Sequence, residues 1–161
     1  METYEIAVPV KMSMADFRAQ VKVEEPKEIE QSGKIYVFGN YIFINDDMKG
    51  ILVIDNTYFS PQKVAYIKIP QNTDMAVKGN ILFANSGKDL VSFDISNIQD
   101  IQVKERLDNV FESQHYPTLP EGVFFSDFSE FNPETEVITI TRLKPVSGRL
   151  GGEYFMILLI I

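Results

Sequence analysis

Gly39-Asn40-Tyr41-Ile42-Phe43-Ile44-Asn45, a short turn, then Ile51-Leu52-Val53-Ile54-Asp55: this stretch decides the fold, because the chain contains it twice. The second copy reads Gly79-Asn80-Ile81-Leu82-Phe83-Ala84-Asn85, a turn, then Leu90-Val91-Ser92-Phe93-Asp94. The Gly-Asn pairs lie 40 positions apart, as do Asn45 and Asn85, whereas Asp55 and Asp94 lie 39 apart. One residue has been lost in the intervening turn, where a hairpin tolerates deletion best. A fixed period of this length is the signature of a repeat architecture.

Each unit reads as four strands. In the first, Lys34–Phe38 precedes the Gly39-Asn40 turn, a residue pair suited to positive φ. Tyr41–Ile44, Ile51–Ile54 and Lys63–Ile69 follow. In the second, the strands are Met75–Lys78, Ile81–Ala84, Leu90–Phe93 and Ile101–Leu107. Ile51-Leu52-Val53-Ile54 is apolar on both faces and belongs between stacked layers. The fourth strand alternates (Val64, Tyr66 and Lys68 against Ala65, Ile67 and Ile69), which predicts an outer strand more exposed than the third. Four-stranded antiparallel sheets repeated every ~40 residues predict an all-β, β-propeller-like array of two blades, about 33–70 and 71–107.

Ile51-Leu52-Val53-Ile54-Asp55 resembles the motif that names the LVIVD-repeat proteins, with Leu90-Val91-Ser92-Phe93-Asp94 a looser copy. Val8-Pro9-Val10, Met12-Ser13, Phe17-Arg18, Gly33-Lys34-Ile35-Tyr36-Val37 and Met75-Ala76-Val77-Lys78-Gly79-Asn80 extend the resemblance over roughly Tyr4 to Phe128. It implies a β-propeller-like fold and, commonly, an exported lipoprotein of Bacteroidetes-type bacteria, placed in the cell envelope and without established activity. Such proteins usually begin with a lipoprotein signal and run longer. Here Met1–Val10 has acids where a basic n-region belongs and is broken by Pro9, so it does not read as a signal.

Composition narrows the functional classes. The 161 residues suit one domain, and 45% hydrophobic content supports a real core. Twelve Phe, seven Tyr and no Trp favour strands. A net charge of −8 with scattered basic residues argues against nucleic acid and anionic lipid. The absence of cysteine excludes disulfides, thiolate metal sites and Cys nucleophiles. No apolar run approaches the ~20 residues a membrane-spanning helix needs.

The flanks are less regular. Residues 1–32 read as an extended Thr3–Val10, a short helix Met14–Gln20 with Ser13 as N-cap and Asp16 in a near-capping box, and an acidic strand-and-connector, Val21–Gln31. Residues 108–161 read as an irregular aromatic-rich stretch, one strand at Val137–Thr141, and the apolar tail Tyr154–Ile161. That tail has high β-propensity and no charge, so it either completes a sheet or marks a chain cut short. The second is the expectation, because two blades leave two outer faces open and arrays generally need ~3 units.

Few residues suggest chemistry. His115, the single histidine, has no nucleophile-elbow sequence to serve and reads as a loop histidine. Asn45-Asp46-Asp47-Met48-Lys49-Gly50 has calcium-loop flavour but puts Lys49 at a ligand position and Asn56 where a bidentate Glu belongs, so it reads as a hairpin loop. Asp55 and Asp94 recur at one place in both units. They read as structural residues that fix an Asx turn at the strand end, and Gly39, Asn40, Gly79 and Asn80 read as structural residues of the tight turns. Glu24/Glu25 and Glu28/Glu30 read as a solvated charge run rather than a glycosidase pair.

The expectation is a non-catalytic repeat protein with no cofactor or metal, binding an unknown protein or glycan ligand and able to self-associate through open blade faces. Phe111, Tyr116, Phe124, Phe125 and Phe128 are candidates for a contact surface. The alternative is a fragment of a propeller-fold hydrolase or lyase whose site is completed by missing blades or another subunit.

Overall fold

A computed structural model describes residues 2–112, 119–123 and 125–148. His115 and the tail Tyr154–Ile161 lie outside the described residues. Among these residues the fold is all-β, with antiparallel sheets and one short helix. The chain divides into two units, residues 13–115 and residues 1–12 with 116–161. The first strand, β1 (Glu2–Ser13), belongs to the second of these units in all but its last residue.

In residues 13–115 the chain opens with α1 (Met14–Ala19). Ser13 Oγ accepts the Asp16 N–H at 3.1 Å and donates to Asp16 Oδ2 at 2.7 Å, closing the N-terminus of the helix. Phe17 buries the helix's apolar side. Then come β2 (Lys22–Glu24), β3 (Ser32–Phe38), β4 (Tyr41–Asp46), β5 (Gly50–Asp55) and β6 (Gln62–Lys68), forming one sheet in the order β2-β6-β5-β4-β3. The second sheet holds β7 (Met75–Lys78), β8 (Ile81–Ser86), β9 (Asp89–Asp94) and β10 (Gln102–Leu107) in the order β10-β9-β8-β7. A 3₁₀ turn, Ile98–Asp100, links its last two strands.

The first sheet has five strands where four were expected. β2 pairs outside β6, with Val23 opposite Ile67 and Glu24 opposite Tyr66. The fourth strand is therefore internal, and Tyr66 and Ile67 are fully buried rather than exposed. The acidic segment supplies enough extended backbone at Lys22–Glu24 to satisfy the edge of β6.

Pairing registers define two faces on each sheet. In the first, Ile42 stands opposite Ile54 and Ile44 opposite Leu52, while Phe43 faces Val53 and Asn45 faces Ile51. In the second, Leu82 stands opposite Phe93 and Ala84 opposite Val91, while Phe83 faces Ser92. Leu82, Ala84, Val91 and Phe93 are the repeat equivalents of Ile42, Ile44, Leu52 and Ile54. We call that side of each sheet its leading face and the other its trailing face. One continuous apolar core joins Phe43, Ile51, Val53, Ala65 and Ile67 to Leu82, Ala84, Val91 and Phe93. The trailing face of the first sheet thus packs on the leading face of the second. Each of the Phe, Ile, Val and Leu side chains among them contributes roughly 1.5–3 kcal/mol through burial. The sheets do not close into a ring among the described residues.

In the other unit, β1 pairs with β11 (Glu136–Gly148), longer than the Val137–Thr141 strand expected from alternation. Ala7 also forms a parallel bridge to Ser126, its N–H donating to Phe125 O and its carbonyl accepting from Asp127 N–H, each at 2.9 Å. No helix among the described residues is long and apolar enough to cross a membrane.

Candidate functional site

The buried polar residues of residues 13–115 collect at the ends of the two central hairpins. In the β4–β5 hairpin, Met48 takes φ 65° and Gly50 φ 154°. A Cβ on Gly50 would lie 2.1 Å from the Ile67 carbonyl oxygen, so the turn admits only glycine there. Asp46, 1% exposed, accepts the Glu30 and Gln31 N–H groups at 3.0 Å on one oxygen. Its other oxygen accepts the Tyr66 hydroxyl at 2.9 Å. Burial, then this bond to Asp46, pushes the Tyr66 hydroxyl well above the usual tyrosine range. Lys27 caps the ring of Tyr66, its Nζ 4.0 Å from the centroid. The carboxylate that would be offered to a calcium ion is thereby committed to backbone amides and a phenol. Among the described residues no group of three His, Asp or Glu is arranged to hold a metal.

The second hairpin ends in Asp89, also 1% exposed. Arg18 of α1 grips it with two bonds of 2.8 and 3.1 Å, and Arg106 of β10 adds one at 2.8 Å. The Asn109 N–H donates to it at 3.0 Å. Burial alone would raise the Asp89 carboxyl, but the bonds from Arg18, Asn109 and Arg106 outweigh it and hold the group below the usual carboxylate range.

Between the hairpins the linker 70–74 is wrapped by amides. Asn45 Nδ2 donates to Asn72 Oδ1 at 2.7 Å and to Gly50 O at 3.2 Å. Asn72 Nδ2 donates onward to Asn85 O and Asn85 Oδ1 at 3.0 and 3.1 Å. Asn85 Oδ1 also accepts the Thr73 and Asp74 N–H groups at 3.0 and 2.9 Å. Asn45 Oδ1 is buried with no hydrogen-bond partner, and it abuts Gly33, where a Cβ would fall 2.2 Å from it.

The repeated turn residues occupy the opposite ends of the strands. Asp55 Oδ1 accepts the Thr57 N–H at 2.8 Å, and Asp94 Oδ1 accepts the Ser96 N–H at 3.0 Å. Bonds from the Thr57 and Ser96 side chains, then their backbones, lower both carboxyls. Gly39 and Gly79 take φ 57° and 59°, while neither Asn40 nor Asn80 is at positive φ. Instead the asparagine carbonyls accept from Asn56 N–H and Ile95 N–H at 2.8 and 2.9 Å, the same bond in each repeat.

Glu24, Glu28 and Glu30 of the acidic segment are ion-paired, while Glu25 is exposed. Glu24 accepts from Lys22 at 2.9 Å, Glu28 pairs with Lys63 and Glu30 with Lys49. Glu28 and Glu30 remain largely exposed, so these pairs contribute little stability.

The aromatic contact set is divided. Phe111 is exposed within residues 13–115. In the other unit, Phe128 is half-buried and Phe125 is half-buried against the Tyr4 ring at 5.8 Å. Tyr116 and Phe124 lie outside the described residues. More exposed than Phe111, Phe125 or Phe128 are Tyr58 and Phe59, 76% and 111%, in the loop between β5 and β6. That loop reads as polar, and the adjacent aromatics between Asp55 and Pro61 are the signal that points to them. Ile35 and Val37 on the leading face of the first sheet are 62% and 65% exposed. No family model, curated protein or solved structure matches this chain.

Proposed function

We propose that the chain is a non-catalytic, LVIVD-like repeat of β-propeller type that works as a binding or structural module, placed in the cell envelope by that resemblance. One observation carries the reading. The buried groups that could do acid–base or metal chemistry, Asp46 and Asp89, spend their oxygens on holding hairpin ends. The exposed features are instead apolar and aromatic: Ile35, Val37, Tyr58 and Phe59. Exposed apolar clusters of this kind mark interaction surfaces, and two neighbouring rings suit a protein or glycan ligand.

The test pairs binding with turnover. The full chain is screened against a glycan array and defined peptide libraries, and incubated with fluorogenic esters, glycosides and phosphoesters. Binding that falls at least ~10-fold in the Tyr58→Ser/Phe59→Ser variant, with unchanged melting, supports a module of this kind. Turnover that disappears in Asp46→Asn or Asp89→Asn while circular dichroism shows the variant still folded would overturn it in favour of a hydrolase fragment.

A further inference from the structure

The internal contact between the sheets is not two-fold. A trailing face meets a leading face, and the residues on the two sides are different members of the repeat. Contacts of that kind are heterologous: the operation that places one sheet on the next can be applied again. It leaves the leading face of the first sheet and the trailing face of the second as the two matching ends.

The leading face of the first sheet has the composition of an interface and only part of the burial of one. Leu82, Ala84, Val91 and Phe93 are all buried in the second sheet; of their equivalents Leu52 is buried, next to Tyr66, whereas Ile42, Ile44 and Ile54 are only half-buried beside the exposed Ile35 and Val37. The 3₁₀ turn adds an independent observation. Ile98 follows β9, is buried and lies against β6 of the preceding sheet. The residue at the same place after β5 is Phe59, fully exposed. An anchor that is seated in one repeat stands unseated in the other.

Charge fits the same operation. Lys34 Nζ bonds Asp74 Oδ1 at 2.6 Å across the sheets, and Tyr36 Oη lies 3.5 Å from Val77 O beside it. Asp74 is the repeat equivalent of Lys34. Repeating the contact between copies sets Asp74 of one chain against Lys34 of the next, again opposite charges.

We infer that the leading face of the first sheet, with Phe59 as its anchor, docks the trailing face of the second sheet of another copy of this chain, head to tail. This rests on the interaction-module reading and names its partner. Ser92 stands on the trailing face of the second sheet where Val53 stands on the first, and Glu105 lies opposite it. The contact between copies is accordingly weaker than the internal one, reversible and concentration-dependent.

The chain has no cysteine, so single thiols report the geometry cleanly. In the repeated contact, Ala76 takes the place of Tyr36 and Val37 that of Val77. Both are exposed, so Val37→Cys and Ala76→Cys leave the core intact. The full-length variants are treated with a short bis-maleimide at rising concentration. A mixture of the two gives a crosslinked dimer and neither variant alone does. In sedimentation equilibrium, Phe59→Ser weakens association at least ~10-fold without lowering the melting temperature, as loss of one aromatic anchor should. A chain that stays monomeric at high concentration overturns the inference, as does crosslinking of Val37→Cys with itself, which would mean a two-fold contact. A monomer that still binds glycan or peptide through Tyr58 and Phe59 leaves the module reading standing while the head-to-tail contact falls.

Discussion

Gly33→Ala is a one-carbon change in an exposed strand residue, and it should unsettle the buried amide network. The new Cβ would sit 2.2 Å from Asn45 Oδ1, more than an ångström inside ordinary contact. Gly33 is not at positive φ, so backbone strain plays no part. Relief requires the Asn45 amide to turn, which breaks its bonds to Asn72 Oδ1 and Gly50 O at 2.7 and 3.2 Å. Each net hydrogen bond is worth ~1 kcal/mol, and leaving a buried acceptor unsatisfied adds ~1–3 kcal/mol. The expected loss is about 3–5 kcal/mol. For a cooperative unit of this size that lowers the melting temperature on the order of 10 °C or more. Urea and thermal unfolding measure it, and a double-mutant cycle assigns it. In an Asn45→Ala background the obstacle is gone, so Gly33→Ala should cost less than about 0.5 kcal/mol, the range of independent sites. Equal cost in both backgrounds, or a single variant as stable as the parent, would refute the proposed clash.

Three further outcomes follow from the hairpin ends. Tyr66→Phe removes one of the three donors to Asp46 and should cost about 1–2 kcal/mol, read as a lower urea midpoint with an unchanged slope. Asp89 has its folded pKa depressed, so its contribution is fully present above the unfolded value of ~3.9 and is lost as pH falls through the folded value. Asp89→Asn should be less stable at neutral pH and flatter below pH ~4, and an equally steep acid limb would place the titration elsewhere. Arg18→Lys cannot supply the two-pronged grip on Asp89, so amide exchange over Met14–Ala19 should quicken while β8 and β9 keep their protection.

What could be read from the sequence was the ladder. Period, alternation and the Gly-Asn turns place β3 to β10 within a residue or two, because strand faces and tight turns are local properties. Ser13 and Asp16 likewise announce α1. Two things were not legible. The segment from Val21 reads as a strand, yet nothing in Lys22-Val23-Glu24 says that it pairs outside β6, opposite the buried Tyr66 and Ile67. The roles of Asp46 and Asp89 were hidden as well, since a carboxylate's partners come from segments far along the chain. Arg18 is 71 positions from Asp89. Composition marks such residues only as polar, and polar residues in turns are usually solvated.

The two hairpin ends explain why the repeat looks looser in its polar residues than in its apolar ones. Asp46 pairs across its hairpin with Gly50, and Ser86 pairs across with Asp89. The buried carboxylate has therefore changed strands between repeats while staying on the leading face. Its donors changed with it: backbone N–H groups of the 30–31 connector and Tyr66 of β6 in one case, α1 and β10 in the other. An alignment column at either position shows a mismatch, although both ends solve one problem, a buried carboxylate tying a hairpin to its neighbouring segments. Selection of this sort acts on whether the group is satisfied, because an unpaired buried charge costs several kcal/mol wherever it sits. The apolar ladder has no such freedom. A one-residue slip would turn every inward side chain outward, so further units of this architecture should be recognised by the strand register and the terminal aspartate rather than by matching polar residues in the turns.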